Sequence, residues 1–544
     1  MKQSLILLLT GVFALQSAGG CFSGNDTGTK GVAQQKRRAE LIEQGKELLS
    51  QAEPHMAKVP FSTILEEIDP KDPQASFGLG ICYLQDTIEL TSMLLSVVTG
   101  AMNFAGVSNG QGLSENDYVI ELIADLLSQL ESRLKNSAEL FEVAATTKDF
   151  SFQIEPGALM YLNLKPALRL GPDLDAADAY LLAYLSRTLQ GLLQLLGSQG
   201  LNSDIMGFVA KVNNGEISSL DGPAISSALA YLLNSDSRFL TLAAGTGKAG
   251  LDAGTKVLAN AQRDLLAGMA LIKEEKDDQA DDAFTIGTTG RGRKKRNVLI
   301  LKGVWDQEKE DYRDLDITLD NRFETSIGLL ASNLEGQGAA LSWSEGMMPI
   351  LDTLLLVVIH ENLLAKLGLQ LPQELLDSFA SMTPEDFGDF LLTLIPDALT
   401  IDLGKALGTK DIEPVDLRSL VPKWTTSKPK WENGLIMEYE CQSDLDSDGF
   451  PSGSLKLFCD KSAELKDSPH FEGTPYECSP DNVLGKFPYM EWPDPSLNGL
   501  LMLDMSKSKI SGYGAKEGFK VPDNRDLNAF IQKVVRSILF LVGK

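Results

Sequence analysis

The sequence predicts a mainly α protein of stacked helices, a solenoid or a bundle, with a small irregular or β segment toward its C-terminal end. Three observations lead there. Apolar residues recur at the helical period of about 3.6 through most of the chain, as in Ile123, Leu126, Leu127, Leu130 and Leu134. The connections between such stretches carry turn formers: Asp69-Pro70, Gly171-Pro172, Asn213-Asn214-Gly215 and Asp221-Gly222-Pro223. From about residue 411 the helical period fades, while Trp424, Trp431, Trp492, Cys441, Cys459 and Cys478 collect within a Pro-containing stretch.

The first segment is read as an export signal over residues 1–20. Lys2 gives a positive start, residues 5–15 form an apolar run too short to span a bilayer, and Ala18-Gly19-Gly20 supplies small residues before Cys21. Ala18-Gly19-Gly20-Cys21 resembles the lipobox of bacterial lipoproteins, with Ala18 where that family prefers Leu. The resemblance implies that Cys21 is acylated and becomes the first residue of the mature chain, held to a membrane by lipid. Phe22, where an Asp favours inner-membrane retention in enterobacterial lipoproteins, points to the outer membrane. Residues 21–35, rich in Gly, Thr, Ser and Asn, are expected to be a flexible tether.

Residues 36–273 carry the main helical pattern. Within them Phe61-x-x-Ile64-Leu65, Asp69-Pro70 and Ala75-x-x-x-Leu79-Gly80-x-x-Tyr83 resemble the junction between two tetratricopeptide repeats. The pattern departs from that family in its Phe-to-Pro spacing, in Ile64 where Ala is usual, and in a helix that runs on past Tyr83. Pro172, Ala177, Leu181 and Leu192 repeat Pro70, Ala75, Leu79 and Leu90 more faintly. The resemblance covers residues 36–100 and 160–200. It implies short helices stacked side by side, with Gly80 allowing a neighbouring helix to approach closely.

Residues 274–320 break the pattern. An acidic run over 274–282 precedes the basic Arg291, Arg293, Lys294, Lys295 and Arg296, then come two short strands at 298–301 and 317–319. A solvated loop whose charge blocks attract each other accounts for this, and docking onto an acidic partner is the alternative. Residues 321–410 return to helix, 411–525 form the irregular segment, and 526–544 close as an amphipathic helix with Leu527, Phe530, Ile531, Val534, Val535, Ile538 and Leu539 on one face. Trp492 to Leu500, with two prolines and Gly499, is either a partner-facing loop or a plug against the helical stack.

Chemistry-bearing motifs are few. Asp444, Asp446 and Asp448, followed by Gly449 and the Phe450 carbonyl, have the alternating oxygens of a structural calcium loop; the alternative is an Asp/Ser/Gly surface turn. Leu455, where a bidentate Glu belongs, excludes a full EF-hand. Cys441 and Cys459 flank the loop and pair plausibly in an oxidising compartment, although Cys478 with Cys459 or Cys82 is also open. Cys82, between Leu79 and Tyr83, reads as a buried hydrophobe. His55, His360 and His470 are far apart, and His360-Glu361 lacks the second His of a zinc-protease helix. Gly245-Thr246-Gly247-Lys248 has Leu242 and Ala249 where a phosphate loop needs Gly and Ser or Thr. No catalytic residue is assigned.

The acidic balance, 75 Asp and Glu against 49 Lys and Arg, argues against nucleic acid as a partner. The functional expectation is a lipid-anchored envelope protein, not an enzyme, that binds an envelope protein partner as a helical scaffold. Its alternatives are a component capturing a solute or lipid for a transporter, and an enzyme whose site has no sequence signature. Replacing Cys21 with Ser is expected to block acylation and processing; detergent-phase partitioning and the mature mass check this, and an unchanged lipid-modified mass would refute the anchor.

Overall fold

The computed structural model describes residues 27–104, 112–154, 159–162, 165–169, 173–201, 207, 236–275, 282–289, 296–306, 311–355, 399–410, 416–420, 431–432, 435–441, 458–459, 483–488, 494 and 496–503. This part is mainly helical, 64% helix, with small sheets between helices that pack on one another.

The N-terminal half contains the described helices α1 (Thr27–Ser50), α2 (Pro54–Glu67), α3 (Pro73–Phe104), α4 (Gly112–Ala145), α5 (Ala176–Gly197) and α6 (Gly247–Glu274). From α2 to α6 each of these helices packs on the next of them, and α1 lies on α2. Helix α1 starts inside the stretch expected to be a tether. Ala33, Gln34, Gln35 and Lys36 are strong helix formers, and extending an existing helix costs far less than nucleating one. Helices α3 and α4 run 32 and 34 residues, so each is as long as a whole tetratricopeptide unit of about 34 residues.

Aromatic rings fill the first core. Phe61 of α2 is fully buried between Gly45 of α1 and Gly78 of α3; a Cβ on Gly45 would lie 2.5 Å from its ring, and one on Gly78 would also collide with it. Both glycines are required for the close approach of three helices around one ring. Phe77 meets Phe141, Phe150 and Phe152 at centroid distances of 5.4, 5.2 and 5.1 Å. Gly80 does admit a neighbouring helix, since a Cβ there would lie 2.9 Å from the Phe141 ring. The Asp69-Pro70 turn forms as expected, with the Lys71 amide donating to the Asp69 carboxylate at 3.0 Å. Asp72, nearly inaccessible and paired with Arg38, then accepts the Ala75 amide and caps α3.

Between α4 and α5 the chain forms strands that helical periodicity does not foretell: β1 (Ser151–Gln153), β2 (Leu159–Leu162), β3 (Lys165–Arg169) and β4 (Asp173–Asp175). β1 pairs with β4, while β2 and β3 form a hairpin. The region 274–320 is more than a loop. β5 (Phe284–Thr289), β6 (Arg296–Asp306) and β7 (Asp311–Leu319) are antiparallel, and Leu168 of β3 pairs with Val304 of β6 to complete a five-stranded sheet. The expected short strands lie inside β6 and β7; partners on both sides of β6 extend them. Leu299 and Leu319 from this sheet enter a second core with Leu181 of α5, Leu265 and Met269 of α6, and Phe323 and Ile327 of α7 (Phe323–Leu334).

Residues 321–410 are not helical throughout. After α7 come β8 (Leu341–Ser342), a π-helical turn (Trp343–Met347), α8 (Met348–Leu355), β9 (Leu399–Ile401) and the short α9 (Leu403–Ala406). β9 forms because β14 (Leu501–Leu503) and β8 flank it, a pairing across about a hundred residues that local pattern cannot reveal. The segment 411–525 is partly β as expected, with β10 (Trp431–Glu432), β11 (Leu435–Cys441), β12 (Phe458–Cys459) and β13 (Val483–Pro488) in one antiparallel sheet. Among the described residues no helix is long and apolar enough to cross a membrane.

One ion-pair clamp crosses three helices. Arg187 of α5 pairs with Asp264 of α6 at 2.5 Å and with Glu142 of α4. The Arg187 and Asp264 side chains are only 14% and 9% exposed, so loss of the cation would leave a poorly solvated carboxylate. Arg187→Met is expected to cost about 3 kcal/mol in denaturant unfolding. Adding Asp264→Leu should restore part of that loss, whereas additive losses would show that the pair is not the cause.

Candidate interaction surface

One group of charges among the described helices surrounds Asp86 of α3. Its carboxylate is 3% exposed and meets two cations from other helices, Lys58 of α2 and Arg133 of α4 at 2.8 Å, with the Nδ1 of His55 on α2 at 3.3 Å. Lys58 also lies over the Tyr83 ring, 5.3 Å from its centroid. Helical geometry makes this convergence possible. His55 and Lys58 are three residues apart and share a face of α2, while Tyr83 and Asp86 are spaced likewise on α3.

Among the described residues Lys58 and Arg133 both pair with Asp86, so this notch gathers two cations on a chain whose net charge is −26. His55 is exposed at its mouth, and Lys58 and Arg133 are 25% and 31% exposed. Met56 and Val59, 58% and 62% exposed, are its neighbours on α2. Cationic groups with an apolar rim form a surface that can bind an acidic group carried on an apolar segment.

Cys82 lies one turn before Asp86 but adds no reactivity. It is fully buried, and desolvation pushes its thiol up to about 12, so the nucleophilic thiolate is suppressed. Its reading as a buried hydrophobe therefore fits.

A second charged group lies at the N-terminus of α5. Asp175 caps the helix, accepting the amides of Ala177 and Asp178 at 2.8 and 3.1 Å, and Asp178 returns a bond to the Asp175 amide. Asp178 also accepts the Phe284 amide at 3.2 Å, tying α5 to β5. Burial pushes the Asp178 carboxyl well above the usual range, with the charge of Asp175 adding to it. Desolvation, then a hydrogen bond with Asp175 and the charges of Asp175, Asp282 and Asp178, push Glu275 up to about 9. Among the described residues no cluster of three or more His, Cys, Asp or Glu has metal-binding geometry.

The residues singled out in the sequence are distributed as follows. Cys21 and the loop residues Asp444, Asp446, Asp448 and Phe450 lie outside the described residues, as do His360, His470, Cys478 and 526–544. Cys441 and Cys459 are on the adjacent antiparallel strands β11 and β12, where Tyr439 is in register with Cys459 and Glu440 with Phe458. Gly247 opens α6 against α5: a Cβ there would lie 2.8 Å from the Ser198 carbonyl, a packing role unrelated to phosphate. The described part of the 492–500 phrase folds around Asp494, whose carboxylate accepts the amides of Ser496 and Asn498 at 2.9 and 2.6 Å. Gly499 then packs on the Lys405 side chain of α9, so this turn lies against the body.

The notch itself was missed from sequence. Its available signal was Asp86 on the otherwise largely apolar stretch 77–90 of α3, a position where a charge requires partners. Comparison with known proteins finds no matching family model, no matching curated protein and no matching solved structure.

The raised carboxyls predict a pH dependence. The folded state holds protons on Glu275 that the unfolded chain releases near the ordinary value of 4.5. Its contribution to stability is therefore fully present below about pH 4.5 and is lost as pH rises toward about 9. Thermal melting between these limits should show the midpoint falling with pH, and Glu275→Gln should flatten the fall. Identical slopes would remove Glu275 as its source.

Proposed function

We propose that the protein is a lipid-anchored envelope protein that works as a helical docking scaffold, presenting the Asp86 notch to a protein partner. The supporting observation is the convergence of the cations Lys58 and Arg133 at Asp86, with His55 beside them and Met56 and Val59 exposed on α2. Such a surface suits an acidic side chain flanked by apolar residues: the rim supplies buried area and the cations supply orientation. Acylated Cys21 would hold the body at the membrane, most consistently the outer one. The role is binding, and no catalytic residue is assigned.

The test compares cross-linked pull-downs of the native protein and of Met56→Asp/Val59→Asp from detergent-solubilised membranes. A partner enriched by the native protein should fall at least about tenfold with the variant, the effect of about 1.4 kcal/mol. Equal recovery would reject the notch as the docking surface. Recovery of a tightly bound small molecule, with no protein partner, would favour solute capture instead.

A further inference from the structure

Arginines meet carboxylates in three ways along the helical stack, and one of them is incomplete. Arg38 closes a fork on Asp72: its Nη2 donates to Oδ1 at 3.0 Å while its Nε takes Oδ2. Arg187 divides its two terminal nitrogens between Asp264 and Glu142. Arg133 of α4 differs from both. Its Nη1 lies 2.8 Å from Oδ2 of Asp86, the same oxygen that the Lys58 ammonium takes. Oδ1 has the Nδ1 of His55 at 3.3 Å but accepts no hydrogen bond among the described residues. Arg133 therefore does not span the two oxygens as a fork.

The two cations of the notch thus stand differently. Lys58 is fixed from two sides, by its bond to Asp86 and by the Tyr83 ring 5.3 Å away. An ammonium is a compact charge without a planar direction, so this placement uses what it offers. A guanidinium carries five donors in a plane that matches both oxygens of one acidic group. A contact to one shared oxygen leaves that match unmade, and the Arg133 side chain is 31% exposed. Within the docking role proposed above, on which this rests, we infer that Arg133 selects the partner. It closes on a carboxylate of that protein the two-bond fork that Asp86 leaves open. Lys58 is then a positioning charge, held at Asp86.

Arg38 is a matched reference for this difference. Its side chain is 33% exposed against 31% for Arg133, and the carboxylates they meet are 1% and 3% exposed. What separates the two arginines is the fork.

The first measurement treats the native full-length protein with phenylglyoxal, which closes on guanidinium nitrogens, and reads the modified sites by peptide mass spectrometry. Arg133 should react severalfold faster than Arg38; equal or slower reaction would overturn the open fork. Cross-linked pull-downs from detergent-solubilised membranes then compare the native protein with Arg133→Lys, which keeps the charge beside Asp86 but has no fork. Partner recovery should fall at least about tenfold, as loss of one charge-assisted bond implies, with the thermal midpoint unchanged. A fall that comes with a lowered midpoint would mark a structural role and overturn the inference. Equal recovery by Arg133→Lys, with loss in Met56→Asp/Val59→Asp, would overturn the role of Arg133 and leave the docking surface standing. Phosphatase treatment of the membranes should not change recovery; a loss would assign a phosphate in place of the carboxylate. Capture of no protein by the native chain would end the docking role and the role of Arg133 together.

Discussion

The fold depends on holding α5, a helix with a single cation, at the centre of the stack. Arg187 supplies that cation and spends it on two carboxylates from the helices on either side. The arrangement is costly locally: burial pushes Asp264 up to about 6 even with Arg187 against it, so desolvation outweighs the pair's attraction at that carboxyl. What the clamp provides is register. Leucines and alanines pack nearly as well after a helix slides by a turn, whereas a guanidinium gripping one carboxylate from each side does not. The glycine crossing of the same helices acts in the same direction, since a Cβ on Gly191 would lie 2.6 Å from Leu258.

The helical class was legible because burial of one face writes a period of about 3.6 into a long segment. The strands were less legible for two physical reasons. β1, β4 and β9 are three residues each, too short to display alternation, and β3 contains Pro166, which by itself speaks against a strand. They form because distant partners complete their hydrogen bonds, as Leu501–Leu503 does for Leu399–Ile401. The same distinction separates the parts of the interaction surface. The His55 and Lys58 spacing is local and visible, while the approach of Arg133 requires α3 and α4 to pack first. Asp86, between Gln85 and Thr87 on a largely apolar helix, carries no local sign of the partners it takes from α2 and α4.

The electrostatic layout has two poles. Around Asp86, the cations Lys58 and Arg133 gather at one carboxylate. At the start of α5, carboxyls gather, and burial pushes Asp178 and Glu275 above the usual carboxyl range. Each pole joins elements distant in sequence: α2, α3 and α4 at the first, and α5, the end of α6 and β5 at the second. Polar groups in this protein therefore align helices whose apolar faces alone would leave several alignments close in energy.

The Phe61 lock has a mechanical consequence. Tension entering at Thr27 meets α1 before any other helix, and α1 is joined to the body chiefly through α2, with the Phe61 ring lodged between Gly45 and Gly78. Pulling α1 away opens that socket while the aromatic cluster of Phe77, Phe141 and Phe150 stays closed behind it. Load arriving from the N-terminal side would thus be carried first by the Phe61 socket, together with Ile42, Leu49 and the Arg38–Asp72 pair, before it reached the stack beyond.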